Sequence, residues 1–189
     1  VDVSGAMITT LPFVIAELQR SVNALASDQR FGVVLFGLVP GEADASGEGT
    51  PAGVRTFPDH GLVPASGEHK RDLAQWLGGV RAAGSSNPLD GLLAALEARP
   101  DVVFLLSRSI RRTGEGDWGR GREAILAELD RVNPITPSIF GPPGRAVQIK
   151  CVQFIEEDPT GVMRAIAREH GGGGGEGSYR LLGLEEIRR

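Results

Sequence analysis

Two rhythms of apolar residues run along the chain. Between residues 11 and 25, Leu11, Val14, Ile15, Leu18, Val22 and Leu25 recur three and four apart, with Gln19 and Arg20 on the other side. That spacing predicts an amphipathic helix. Pro12 falls in its first turn, where a missing N–H costs little. The same period predicts helices at 70–80 (Leu73, Trp76, Leu77, Val80), 88–98 (Leu89, Leu92, Leu93, Leu96, stopped by Pro100), 118–132 (Ile125, Leu126, Leu129) and 160–170 (Val162, Met163, Ile166, Ala167). Residues 185–189 begin another. The second rhythm is the short, nearly continuous apolar run. Phe-Gly-Val-Val-Leu-Phe at 31–36 and Val-Val-Phe-Leu-Leu within 101–107 have the length and β-branched content of strands covered on both faces. Residues 146–155 and 178–182 read likewise, 1–4 as the end of a buried strand, and 53–57 as a short edge strand.

Between these elements lie segments rich in Gly, Pro, Ser and charge. Residues 38–52 read as an exposed loop, 84–88 as a turn and 108–117 as a polar loop. Residues 133–145, with four prolines and two glycines, form a further loop, and the five glycines at 171–175 a flexible one. Strands that alternate with helices in this way predict βαβ units. The expected fold is a doubly wound α/β domain: a mostly parallel central sheet, helices on both faces and one antiparallel edge strand near 53–57. Ligands of such sheets bind outside the carboxyl ends of the strands, where strand order reverses. The loops that matter are those after Ser4, near Ser86 and after Ser107.

A length of 189 residues suits one domain spanning 1–189. The 24 acidic and 20 basic side chains leave a net charge of −4, against the basic surplus of a dedicated nucleic-acid binder. One cysteine excludes an internal disulfide framework or a Cys-rich zinc site, and His60, His69 and His170 are too dispersed to build a metal centre. No apolar run is long enough to span a bilayer, and no signal peptide is visible.

At the three loops the chain reads Asp2-Val3-Ser4-Gly5-Ala6-Met7, Gly84-Ser85-Ser86-Asn87-Pro88-Leu89 and Phe104-Leu105-Leu106-Ser107-Arg108. In this order it resembles a von Willebrand factor type A domain over essentially its whole length. The resemblance implies a metal-ion-dependent adhesion site made from Asp-x-Ser-x-Ser, a Thr opening a later helix, and an Asp after the next hydrophobic strand. Asp2 and Ser4 match. Ala6 replaces the second Ser, Ser86 stands for the Thr, and the third-loop Asp falls on Arg108, or on Ser107 with one residue of slippage. Mg²⁺ wants about six oxygens in near-octahedral geometry. Asp2, Ser4 and Ser86 are a degenerate set for it, leaving Mg²⁺ affinity low or lost, and Arg108 is expected to neutralise Asp2 directly or through water. The plain alternative is that Asp2 and Ser4 form a turn whose side chains satisfy backbone N–H groups. The family's strand order puts the strand ending at Asp2 in the middle of the sheet. Three residues is short for a central strand, so an N-terminal extension is expected, and with it the family's N-terminal membrane segment as the one route to a membrane.

The leading expectation is a non-enzymatic protein–protein interaction or scaffolding module that uses the loop end of the sheet, with no cofactor. Its partner is expected to be a protein offering an acidic group to Arg108, Arg111 and Arg112. A nucleotide-binding α/β enzyme is the competing class. It rests on a Gly-x-Gly-x-x-Gly match at 114–119, separated from its strand by six residues where the dinucleotide fingerprint follows directly. A structural subunit of a larger assembly is the third. Cys151 reads as a small core residue, Trp76 and Trp118 as packing, His170 as a cation meeting a helix dipole, and His60 and His69 as loop residues without partners.

Overall fold

The computed structural model describes residues 1–37, 53–86, 88–108, 121–138, 141–173 and 177–187. The loop at 38–52, most of the 108–117 loop with Arg111, Arg112 and the glycine motif, Trp118, and part of the five-glycine run lie outside them.

Nine strands and six α-helices follow one another among these residues: α1 (Leu11–Asn23), β1 (Arg30–Phe31), β2 (Val33–Phe36), β3 (Val54–Phe57), β4 (Val63–Pro64), α2 (Gly67–Leu77), α3 (Pro88–Glu97), β5 (Val102–Arg108), α4 (Arg122–Val132), β6 (Ile135–Thr136), β7 (Gly144–Arg145), β8 (Gln148–Phe154), α5 (Val162–His170), β9 (Tyr179–Leu182) and α6 (Leu184–Ile187). β3 pairs antiparallel with β2, and β5, β8 and β9 form a parallel ladder in that order. Residues 1–3 join the two halves. Val3 N–H donates to Phe36 O at 2.9 Å, Phe36 N–H to Val1 O at 3.1 Å, and Asp2 N–H to Leu106 O at 2.8 Å. The order across the sheet is therefore β3, β2, residues 1–3, β5, β8, β9. The first segment is central and the antiparallel strand lies at the edge, as expected. β1 with β4 and β6 with β7 make two-residue antiparallel ladders; the second pair lies within 133–145, which the prolines suggested was loop throughout.

Strand alternation divides the core in two, since successive side chains leave opposite faces. On one face α3, α4 and α5 bring Leu89, Leu92, Leu96, Ile125, Leu129, Met163 and Ile166 onto Phe36, Val103, Leu105, Ile149 and Cys151. On the other, α1 and α2 bring Leu11, Val14, Val22, Leu73 and Leu77 onto Val1, Val3, Val33, Leu35 and Phe154. Each fully buried side chain of this size contributes about 1.5–3 kcal/mol. α3 lies very close to the sheet because position 91 is glycine: a Cβ there would stand 2.5 Å from the Phe36 ring. The expectation of strands covered on both faces fails at Phe104, which is 57% exposed with Lys150 Nζ 5.9 Å from its ring centre. The apolar cluster on that face is centred on residues 1–3 and β2 and stops short of it.

Several helix boundaries differ from the periodicity: α1 ends at Asn23, α2 ends at Leu77, α4 starts at Arg122, and the starts of α2 and α5 have local causes. α2 starts at Gly67 rather than 70 because Ser66 caps it, its Oγ accepting from His69 N–H at 3.2 Å. His69 is thus not partnerless; its Nδ1 also lies 2.9 Å from Pro64 O. α5 starts at Val162, after Gly161 in the left-handed region, and the Asp158 carboxylate accepts from the N–H groups of Thr160 at 2.9 Å and Val162 at 3.0 Å.

Candidate functional site at the loop end of the sheet

Three chain segments meet at the carboxyl ends of the central strands. Asp2 ends the middle segment and is fully buried. After it the chain turns through a short 3-10 helix, Gly5–Met7, held by Met7 N–H on Ser4 O at 2.9 Å and anchored by the buried Met7 side chain. The loop before α3 comes alongside: Gly5 N–H donates to Gly84 O at 3.1 Å and Ala83 N–H to Val3 O at 2.9 Å. That contact delivers Ser86, whose Oγ donates to Asp2 Oδ2 at 2.9 Å. From the end of β5, Ser107 Oγ donates to the same oxygen at 2.6 Å. Asp2 Oδ1 accepts Ser4 N–H at 2.8 Å. Ser4 Oγ is buried without a hydrogen-bond partner among the described residues.

The sequence therefore named Asp2, Ser4 and Ser86 correctly as neighbours. The expected Asp2–Arg108 contact is not formed. Arg108 is the last residue of β5, one step beyond Ser107, so its side chain leaves by the opposite face. Its Nη1 donates to Ala6 O and its Nη2 to Glu156 Oε1, both at 3.2 Å. The hydroxyl that reaches Asp2 belongs to Ser107, the slippage alternative. Glu156 was not anticipated; the sequence signal for it was the acidic pair Glu156-Glu157 directly after the β8 run.

Beside this cluster, over the ends of α4 and α5, lies an open groove of about 340 Å³ that includes Arg122, Gln153, Thr160, Arg164 and Tyr179. Tyr179 OH donates to Gln153 Oε1 at 2.7 Å, and the Arg164 guanidinium sits 4.9 Å from the Tyr179 ring centre while pairing with Glu157. Cys151 is buried in the core, as read from the sequence, and burial pushes its thiol up to about 12, far from a nucleophile's range.

Neither a protein-family model nor a curated protein matches the sequence. Among solved structures, a von Willebrand factor type A protein from Catenulispora acidiphila matches with a TM-score of 0.62 at 18% identity, over 89% of this chain and 35% of that one. The chain has a von Willebrand factor type A fold. It spans about a third of the length of that relative.

The adhesion-site cation that the von Willebrand factor type A fold implies can be tested against the residues present. The oxygen set is one carboxylate and the hydroxyls of Ser4, Ser86 and Ser107. The carboxylate already accepts three hydrogen bonds, and two of the hydroxyls are turned toward it as donors. Ser4 Oγ has no hydrogen-bond partner among the described residues. Mg²⁺ demands near-ideal octahedral oxygens and sheds its water reluctantly. One carboxylate, neutral hydroxyls and Arg108 bonded to the same loop at Ala6 are a charge-poor set for that ion.

Proposed function

We propose that this domain is a non-enzymatic protein-interaction or scaffolding module that binds through the loop end of its sheet, with metal binding weak or lost. The observation that carries the reading is the convergence of three loops on the buried Asp2, which gives them one fixed arrangement at the strand-order reversal. Around it the surface is mixed. Ile8 is 68% exposed, and Arg108 and Glu156 form a partly exposed ion pair at 3.2 Å. In this reading the partner is a protein that places an acidic group on Arg108, where it competes with Glu156 through charge-assisted hydrogen bonds. Arg111 and Arg112, next along the chain, reinforce that preference. No cofactor and no nucleic acid take part.

A photo-cross-linking residue at Ile8, compared with one at Ile135, also well exposed and at the opposite end of the sheet, tests this in the native host cell. The reading expects a discrete cross-linked species from Ile8 that Arg108→Glu weakens at least tenfold, and none from Ile135. Cross-links from Ile135 alone, or an Ile8 product indifferent to Arg108→Glu, would overturn it.

A further inference from the structure

We infer that the Asp2–Ser86–Ser107 cluster is a cation-independent clamp, in which two serine hydroxyls hold together the three loops that a metal ion would otherwise join. The inference deepens the metal-poor reading of the site and does not depend on which partner the loop end binds.

Asp2 is fully buried, and a carboxylate removed from water needs hydrogen-bond donors in its place. It obtains this from three separate stretches of chain. Ser4 N–H comes from the turn that follows it, Ser86 Oγ from the approach to α3, and Ser107 Oγ from the end of β5, 105 residues away. The Ser107 contact, at 2.6 Å, lies in the short range of hydroxyl-to-carboxylate bonds, about 2.5–2.7 Å. A hydroxyl that donates its proton to Asp2 keeps its oxygen lone pairs, but it brings a cation no negative charge. Asp2 is compensated here by donors alone, and the cluster offers an ion a single carboxylate. Donors or a cation can each join the three loops.

Ser107 decides between them. With one residue of slippage it occupies the place at which the resemblance expects an acidic ligand, and it supplies a donor there instead of a second negative charge. An aspartate at 107 would set two carboxylates side by side. Like charges that close cannot both stay ionised without a cation between them. Ser107→Asp should then convert the clamp into a divalent-dependent site.

The experiment uses MnCl2 and MgCl2 as probes, with EDTA as control. The wild-type protein is expected to show no binding heat and a melting temperature within 1 °C across EDTA and 5 mM of either salt. Ser107→Asp is expected to melt lower in EDTA and to regain several degrees with MnCl2, since a ligand bound only by the folded state raises its melting temperature. A double-mutant cycle supplies the second readout: the loss caused by Ser107→Ala should vanish in an Asp2→Asn background, because neighbours in one network are non-additive. A wild-type melting temperature that rises with MnCl2 and loses that rise in Asp2→Asn would overturn the metal-poor reading and the clamp together. A metal-indifferent wild type whose Ser107→Ala and Asp2→Asn effects simply add would overturn the clamp alone. A Ser107→Asp protein that folds in EDTA and ignores MnCl2 would remove Ser107 from the deciding position.

Discussion

The domain buries a polar cluster at each end of its sheet, and the two are built to different standards. At the carboxyl end, the Asp2 carboxylate accepts three hydrogen bonds, while Ser4 Oγ beside it is buried without one among the described residues. At the amino end, the Asn133 side chain brackets Val147, Nδ2 donating to its carbonyl at 2.8 Å and Oδ1 accepting its N–H at 3.2 Å. The same amide lies 3.4 Å from His170 Nδ1, which places the imidazole hydrogen on Nε2. That Nε2 is buried without a hydrogen bond. Asp130 Oδ1 stands 3.5 Å off, but Arg145 Nη2 already holds it at 2.6 Å. His170 was expected to be a cation at a helix terminus. Instead burial, and then the Arg145 charge, push its pKa below the usual histidine value, and Asp130 and Glu169 only partly offset them. One end holds a carboxylate compensated by donors from three segments, the other an imidazole whose charged form burial disfavours.

The largest way to break this contrast is to remove the acceptor at the carboxyl end. Asp2→Ala leaves the Ser4 N–H and two hydroxyls without their acceptor, and is expected to cost about 3 kcal/mol in urea unfolding. A cost as small as that of an exposed residue would erase the distinction between the ends. The amino end sharpens it through pH. His170 has a folded pKa below its unfolded value of 6.5, so it favours the folded state fully above pH 6.5. That contribution is lost as pH falls below 6.5 toward the folded pKa. His170→Gln should flatten the stability profile in that window, and Asp2→Asn should leave the His170 inflection in place. The smallest effect is expected at Arg108. Its pair with Glu156 is partly exposed, so Arg108→Ala should change stability by less than about 1 kcal/mol while altering what the loop end binds.

Long apolar periods were legible because burial leaves little choice: α1, α3, β5 and β8 fall close to where their repeats put them, although the run at 31–36 is split at Gly32 into β1 and β2. The two-residue ladders β1–β4 and β6–β7 were not, since neither carries a full alternation. At the site, Asp2, Ser4 and Ser86 were legible from their loops. The Arg108 error came from where β5 ends. Ending the strand at Ser107 left Arg108 in a loop, free to reach Asp2, whereas β5 continues through Arg108 in register with Phe154. With a side-chain period of two, that single step sends a guanidinium to one side of the sheet and a hydroxyl to the other.

The missing side chain at Gly91 reaches further than the packing of α3. Any methyl there would collide with Phe36 and lift the start of that helix off the sheet. Ser86 rides two residues ahead of the helix, and its 2.9 Å link to Asp2 has no slack for such a lift. A hydrogen atom where other residues carry carbon thus acts as the spacer that keeps a serine within touching distance of an acid on a different strand.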